Sequence, residues 1–117
     1  MDDLILYHNP RCSKSRATLE LLHSRDYAPR VVDYLKTPPD RAELERLLQA
    51  LGMRPRELLR SGEAEYKDAG LDDPDLSDEA IIEAMLAHPR LIERPILISG
   101  GRAAIGRPPE RVLEILE

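Results

Sequence analysis

The chain has 117 residues, 42 % of them hydrophobic and 33 % charged, with a net charge of −5. That length supports one hydrophobic core and not two. The acidic balance and the absence of Phe and Trp argue against general nucleic-acid binding, which uses positive charge and stacking surfaces.

No apolar run approaches the roughly 18 residues that a membrane helix needs, and no secretory leader opens the chain. The single cysteine forbids an internal disulfide. A soluble, cytoplasmic, monomeric protein is expected, without membrane association.

In chain order, Leu4 to Tyr7 is a short apolar run closed by turn chemistry, which predicts a buried strand. Asn9-Pro10 breaks it, because Pro10 fixes its own φ and pushes Asn9 into an extended conformation. A helix-compatible stretch carrying Ala17, Leu19, Leu21 and Leu22 runs over about 13–24. After a break at Tyr27-Ala28-Pro29, Arg30 to Tyr34 predicts a second strand, and the intervening helix makes the pair a parallel βαβ unit.

Residues 36–92 read as helical. Thr37-Pro38-Pro39-Asp40 predicts a helix start, with Thr37 as N-cap and proline at the first helical position. Leu44, Leu47, Leu48 and Leu51 form one apolar stripe that Gly52 ends. Pro55 opens a short helix with Leu58 and Leu59, and residues 61–76 read as a loop. Ser77 caps a third helix with Ile81, Ile82, Met85 and Leu86 inward, ending at His88-Pro89.

Residues 95–106 predict a hairpin around Gly100-Gly101, a turn that allows positive φ at both positions. Pro109 to Leu116 predicts a last helix with Val112, Leu113 and Leu116 inward. A βαβ half followed by a ββα half is the arrangement of the thioredoxin-like fold. The expectation is therefore an α/β fold with a four-stranded mixed sheet and a helical insertion. It forms a single domain, 1–117, with its core in 1–35 and 93–117 and the insertion at 36–92.

Cys12 falls between a strand's carboxyl end and a helix's first turn. Free N–H groups and the helix dipole favour an anion there, and nearby cations lower a thiol's pKa. Arg11, Lys14 and Arg16 supply cations in sequence, and His8 lies just upstream. The bland reading of a lone cysteine is a small buried hydrophobe; the strand–Pro–Cys–helix context favours the reactive one. Ser15 stands where a dithiol protein places its second cysteine, so the motif is monothiol and any disulfide cycle needs an external sulfur. One cysteine and three scattered histidines offer no metal-ligand cluster.

His8-Asn9-Pro10-x-Cys12-x-x-Ser15-Arg16 resembles the active-site loop of the ArsC-type, glutaredoxin-coupled arsenate reductases. It departs from that family's well-characterised branch at Ser13-Lys14, where the branch has Gly-Thr. The resemblance extends along essentially the whole chain. It implies reduction of arsenate to arsenite through a covalent Cys12 adduct, resolved by glutathione as co-substrate and by glutaredoxin, with no bound cofactor. It also implies that Arg60, Arg94 and Arg107 bind the oxyanion, and that Pro95 is a cis proline facing the cysteine. His8 would help keep Cys12 ionised, directly or through a network, and Asn9 and Ser15 would support the thiolate or the anion.

Two alternatives use the same thiol. A glutathione-dependent thiol oxidoreductase would need Cys12 but gain little from three arginines. An RNA-polymerase-binding regulator of the Spx type often carries a Cys-x-x-Cys switch, which Ser15 rules out here. A Cys-x5-Arg phosphatase is disfavoured because Thr18 occupies the arginine position.

Overall fold

The first apolar run forms strand β1 (Leu4–His8) in a computed structural model that describes residues 4–116. Helix α1 (Ser13–Ser24) follows the Asn9-Pro10 break and returns the chain to β2 (Arg30–Asp33), parallel to β1. Parallel neighbours require such a crossover. β3 (Ile96–Ser99) and β4 (Arg102–Ile105) form an antiparallel hairpin, and β3 also lies antiparallel against β1. The sheet order is β2-β1-β3-β4. This is the mixed four-stranded sheet of a thioredoxin-like fold, with helices inserted between its halves.

Two compact units divide the chain. One runs to Thr37 and resumes at Arg94; the other is Pro38–Glu93. Residues 1–3 and 117, which the sequence reading assigned to the core, lie outside the described residues.

In the first unit, Leu6 of β1 pairs with Leu97 of β3, so both point to one face of the sheet. Leu22 of α1 and Val112 complete a fully buried cluster with them, and Leu19, Tyr27 and Ile115 pack around it. The period of two puts Tyr7 and Ile96, also paired and buried, on the opposite face.

The hairpin and the terminal segment differ from expectation. Only Gly100 of the turn has positive φ, at 61°, as a turn needing it at the first central position requires. The last helix is a 3₁₀ segment, Pro109–Ile115. Of its three expected inward residues, Val112 is buried and Leu113 and Leu116 are half-buried, because a three-residue turn holds only one row of side chains on one side.

In the second unit, α2 (Arg41–Leu51) is capped by Asp40, whose carboxylate accepts from the Glu43 N–H at 2.8 Å, not by Thr37. Pro39 forces Pro38 to be extended, so the helix cannot start there. Gly52 ends α2 in the left-handed conformation at φ 66°. α3 (Pro55–Leu58) follows, and a short helix α4 (Ala64–Asp68) lies inside the stretch expected to be a loop. α5 (Asp78–Ala87) is capped by the Ser77 hydroxyl, which accepts from the Ala80 N–H at 3.1 Å. Ile81, Ile82 and Met85 are buried and Leu86 is half-buried. No helix among the described residues is long and apolar enough to cross a membrane.

Candidate active site

Cys12 is the N-cap of α1, with extended backbone at φ −94° and ψ 125°. Its N–H donates to the Asn9 carbonyl and its own carbonyl accepts from the Arg16 N–H, each at 3.0 Å. Asn9 Oδ1 accepts from the Arg11 N–H at 3.0 Å, and Arg16 Nη1 donates to the Pro10 carbonyl at 2.9 Å. These bonds tie the loop to the start of the helix and leave Cys12 half-buried.

Behind the loop, Ser15 Oγ accepts from the Asn9 N–H at 3.0 Å and lies 2.8 Å from His8 Nδ1. All three residues are buried. Burial pushes the His8 imidazole below its ordinary pKa; Asp33 opposes this and Arg16 adds to it. A neutral ring can accept the Ser15 hydroxyl proton at Nδ1. His8 therefore meets Cys12 through Ser15, with no hydrogen bond of its own to the sulfur.

Burial would push the Cys12 thiol up, but the Ser15 amide, the Arg94 guanidinium and the Lys14 amide together hold it below its ordinary value. Neither amide closes a regular capping hydrogen bond to the sulfur. The adjacent cations are not the source of this effect. Arg11, Lys14 and Arg16 are exposed, and the charge that favours the thiolate is that of Arg94, far along the chain.

Arg94 precedes a cis peptide bond to Pro95 and is buried. Burial works against its charge, but charge interaction and hydrogen bonding with Tyr34 and with the Cys12 sulfur outweigh it and raise the guanidinium above its ordinary value. Arg107, followed by a second cis bond to Pro108, completes the group. Its Nη2 donates to Cys12 Sγ at 3.4 Å and its Nε donates to the Arg94 carbonyl at 2.8 Å.

Gly106 makes this approach possible. A Cβ there would lie 2.5 Å from Thr18 Oγ1 and 2.8 Å from Pro95 Cγ, and the Gly106 N–H donates to the Pro95 carbonyl at 2.9 Å.

A thiolate-favouring cysteine with two guanidinium groups on its sulfur suits nucleophilic attack on a bound anion. Among known proteins, the family described as ArsC has a model that matches residues 7–115. This chain belongs to the ArsC family. It is 46 % identical over 117 residues to a Neisseria meningitidis serogroup A protein named arsenate reductase, covering 99 % of this chain and 100 % of that one. It is 56 % identical over 112 residues to an Escherichia coli K12 protein named "Uncharacterized protein YfgD", covering 95 % and 94 %. A solved structure described as arsenate reductase from Vibrio cholerae matches with a TM-score of 0.94 at 51 % identity, covering 97 % of this chain and 98 % of that one.

In this ArsC-family chain the third expected arginine, Arg60, belongs to the Pro38–Glu93 unit. Its N–H donates to the Leu91 carbonyl at 2.7 Å. Its guanidinium pairs with Glu93 Oε1 at 2.5 Å and with Glu63 Oε1 at 3.3 Å. Tyr34, Gly106, Glu63 and Glu93 were not singled out in the sequence. A lone Tyr or Glu carries no motif, and Gly106 entered only as the last residue of the expected hairpin. Among the described residues no three His, Cys, Asp or Glu side chains gather as metal ligands.

Proposed function

We propose that this chain reduces arsenate to arsenite with Cys12 as the nucleophile. The observation that carries this reading is the half-buried Cys12 sulfur, biased toward thiolate and touched by Arg94 and Arg107. Its setting in a chain similar over its full length to proteins named arsenate reductase supports the choice of substrate. Guanidinium forks match the oxygens of a tetrahedral anion and keep their charge at any working pH.

In the proposed sequence the Cys12 thiolate attacks arsenic(V). A sulfur–arsenic bond forms and one arsenic–oxygen bond breaks, the oxygen leaving as water after protonation. Arg94 and Arg107, with Arg60 as the third cation, orient the anion and offset charge in the transition state. His8, Asn9 and Ser15 hold the loop and Pro95 sets the strand beside it.

The chain has one cysteine, so the next sulfur comes from outside. The thiolate of glutathione, the co-substrate, attacks the Cys12 sulfur. A disulfide forms, the sulfur–arsenic electron pair stays on arsenic, and arsenic leaves as arsenite in oxidation state III. Glutaredoxin then takes the glutathionyl group by thiol exchange and returns the Cys12 thiolate. In this reading the enzyme works as a cytoplasmic monomer.

A glutathione- and glutaredoxin-coupled assay with arsenate tests the proposal. Wild type turns over, Cys12→Ser is inactive, and Arg94→Ala loses about 10²-fold or more in kcat/KM. Turnover surviving in Cys12→Ser overturns the mechanism. Thiol exchange on glutathione mixed disulfides without arsenate turnover identifies the thiol oxidoreductase instead.

A further inference from the structure

Arg60 is already engaged by anions of the chain itself. Arg60 Nη1 donates to Glu93 Oε1 at 2.5 Å, and Glu63 Oε1 is 3.3 Å from its Nε as an ion pair without a hydrogen bond, while Glu63 Oε2 also reaches Arg90 Nη2 at 3.3 Å. The side chains of Arg60, Glu63 and Glu93 are only 21 %, 13 % and 25 % exposed, so water screens these pairs less than it screens surface ones. The two carboxylates offset the two guanidinium charges. A carboxylate and a tetrahedral oxyanion recognise the same fork of N–H donors, so they compete for it.

On the reading that Arg60 is one of the cations that receive the oxyanion, we infer that Glu93 is an internal competitor for its guanidinium. Glu93 thereby sets how tightly this chain takes a tetrahedral oxyanion. It is a specificity-determining residue that acts through Arg60 and needs no contact with the reacting atoms. Its place in sequence, directly before Arg94, means that one short segment supplies both a cation to the sulfur and the competing anion to Arg60.

The test is protection of Cys12 from the neutral alkylating reagent iodoacetamide by arsenate, in wild type, Glu93→Gln, Arg60→Ala, the double variant and Arg94→Ala. Glu93→Gln keeps shape and removes the charge, and it lowers the half-protecting arsenate concentration by about three- to tenfold. Arg60→Ala raises that concentration, and in its background Glu93→Gln changes nothing further, which a merely structural role would not produce. In turnover, Glu93→Gln moves KM more than kcat.

No gain in Glu93→Gln, or an equal gain without Arg60, overturns the inference. When Arg94→Ala still weakens protection, that failure leaves the anion-binding reading standing; absence of protection in wild type removes both. Should Glu93→Gln not fold, Glu63→Gln reads the same competition, with a smaller gain expected from its longer contact.

Discussion

The Cys12 sulfur owes its character to groups that arrive from three places in the chain. The Ser15 and Lys14 amides come from the first turn of α1, Arg94 from the residue before the cis Pro95, and Arg107 from the second residue past β4. A thiol whose pKa is lowered releases its proton at lower pH, so the reactive anion persists as pH falls toward neutrality and is lost only below the folded-state value. The rate of alkylation against pH therefore has its midpoint below that of ordinary cysteine in wild type. In Arg94→Ala the midpoint moves upward, because the cation that favours the thiolate is gone. An unchanged midpoint would show that the Ser15 and Lys14 amides alone suffice. Tyr34, buried at 1 % exposure, is hydrogen-bonded to Arg94 and helps to hold that guanidinium in place.

At the scale of elements, the site depends on how closely the chain leaving β4 can pass α1. Gly106 lies where any side chain would collide with Thr18 of the helix and with Pro95. Thr18 is itself fixed, its hydroxyl donating to the Lys14 carbonyl at 2.8 Å. Gly106→Ala should therefore destabilise the fold by about 1–3 kcal/mol and displace the neighbouring Arg107. The expected signature is a lower urea midpoint together with slower arsenate turnover. Full stability in the alanine variant would show that Pro95 and Thr18 yield easily. The caps of α2 and α5 are local by comparison, each a side-chain oxygen accepting an N–H three residues on, and they place nothing at the sulfur.

For the molecule as a whole, the sheet is the frame on which the cysteine loop and the two guanidinium groups are hung. Leu6, Leu22, Leu97 and Val112 come from β1, α1, β3 and the closing 3₁₀ segment and are fully buried together. Removing one of them leaves a cavity that such close packing fills poorly. Leu97→Ala is expected to cost about 2–5 kcal/mol, seen as a fall in the urea midpoint at constant m. A cost below about 1 kcal/mol would mean that β3 repacks readily.

Elements whose cause is local were legible in the chain: the apolar run of β1, the Asn9-Pro10 break, the βαβ crossover, the Gly100-Gly101 turn and the caps at Ser77 and Gly52. The sequence also marked Cys12, because strand, proline, cysteine and helix are contiguous and the Ser15 and Lys14 amides that meet the sulfur belong to that same stretch. The misreadings fall where local signals conflict, as at Thr37-Pro38-Pro39-Asp40, where one proline constrains the other. Which charges meet the sulfur was settled by folding alone. Arg11, Lys14 and Arg16 are close in sequence yet point to solvent or to the loop's backbone, whereas Arg94 and Arg107 converge because β3 and β4 carry them there. Folding also decided that Arg60 has Glu63 and Glu93 as counterions, since ion pairs form across folded distance and leave no periodic trace in the chain.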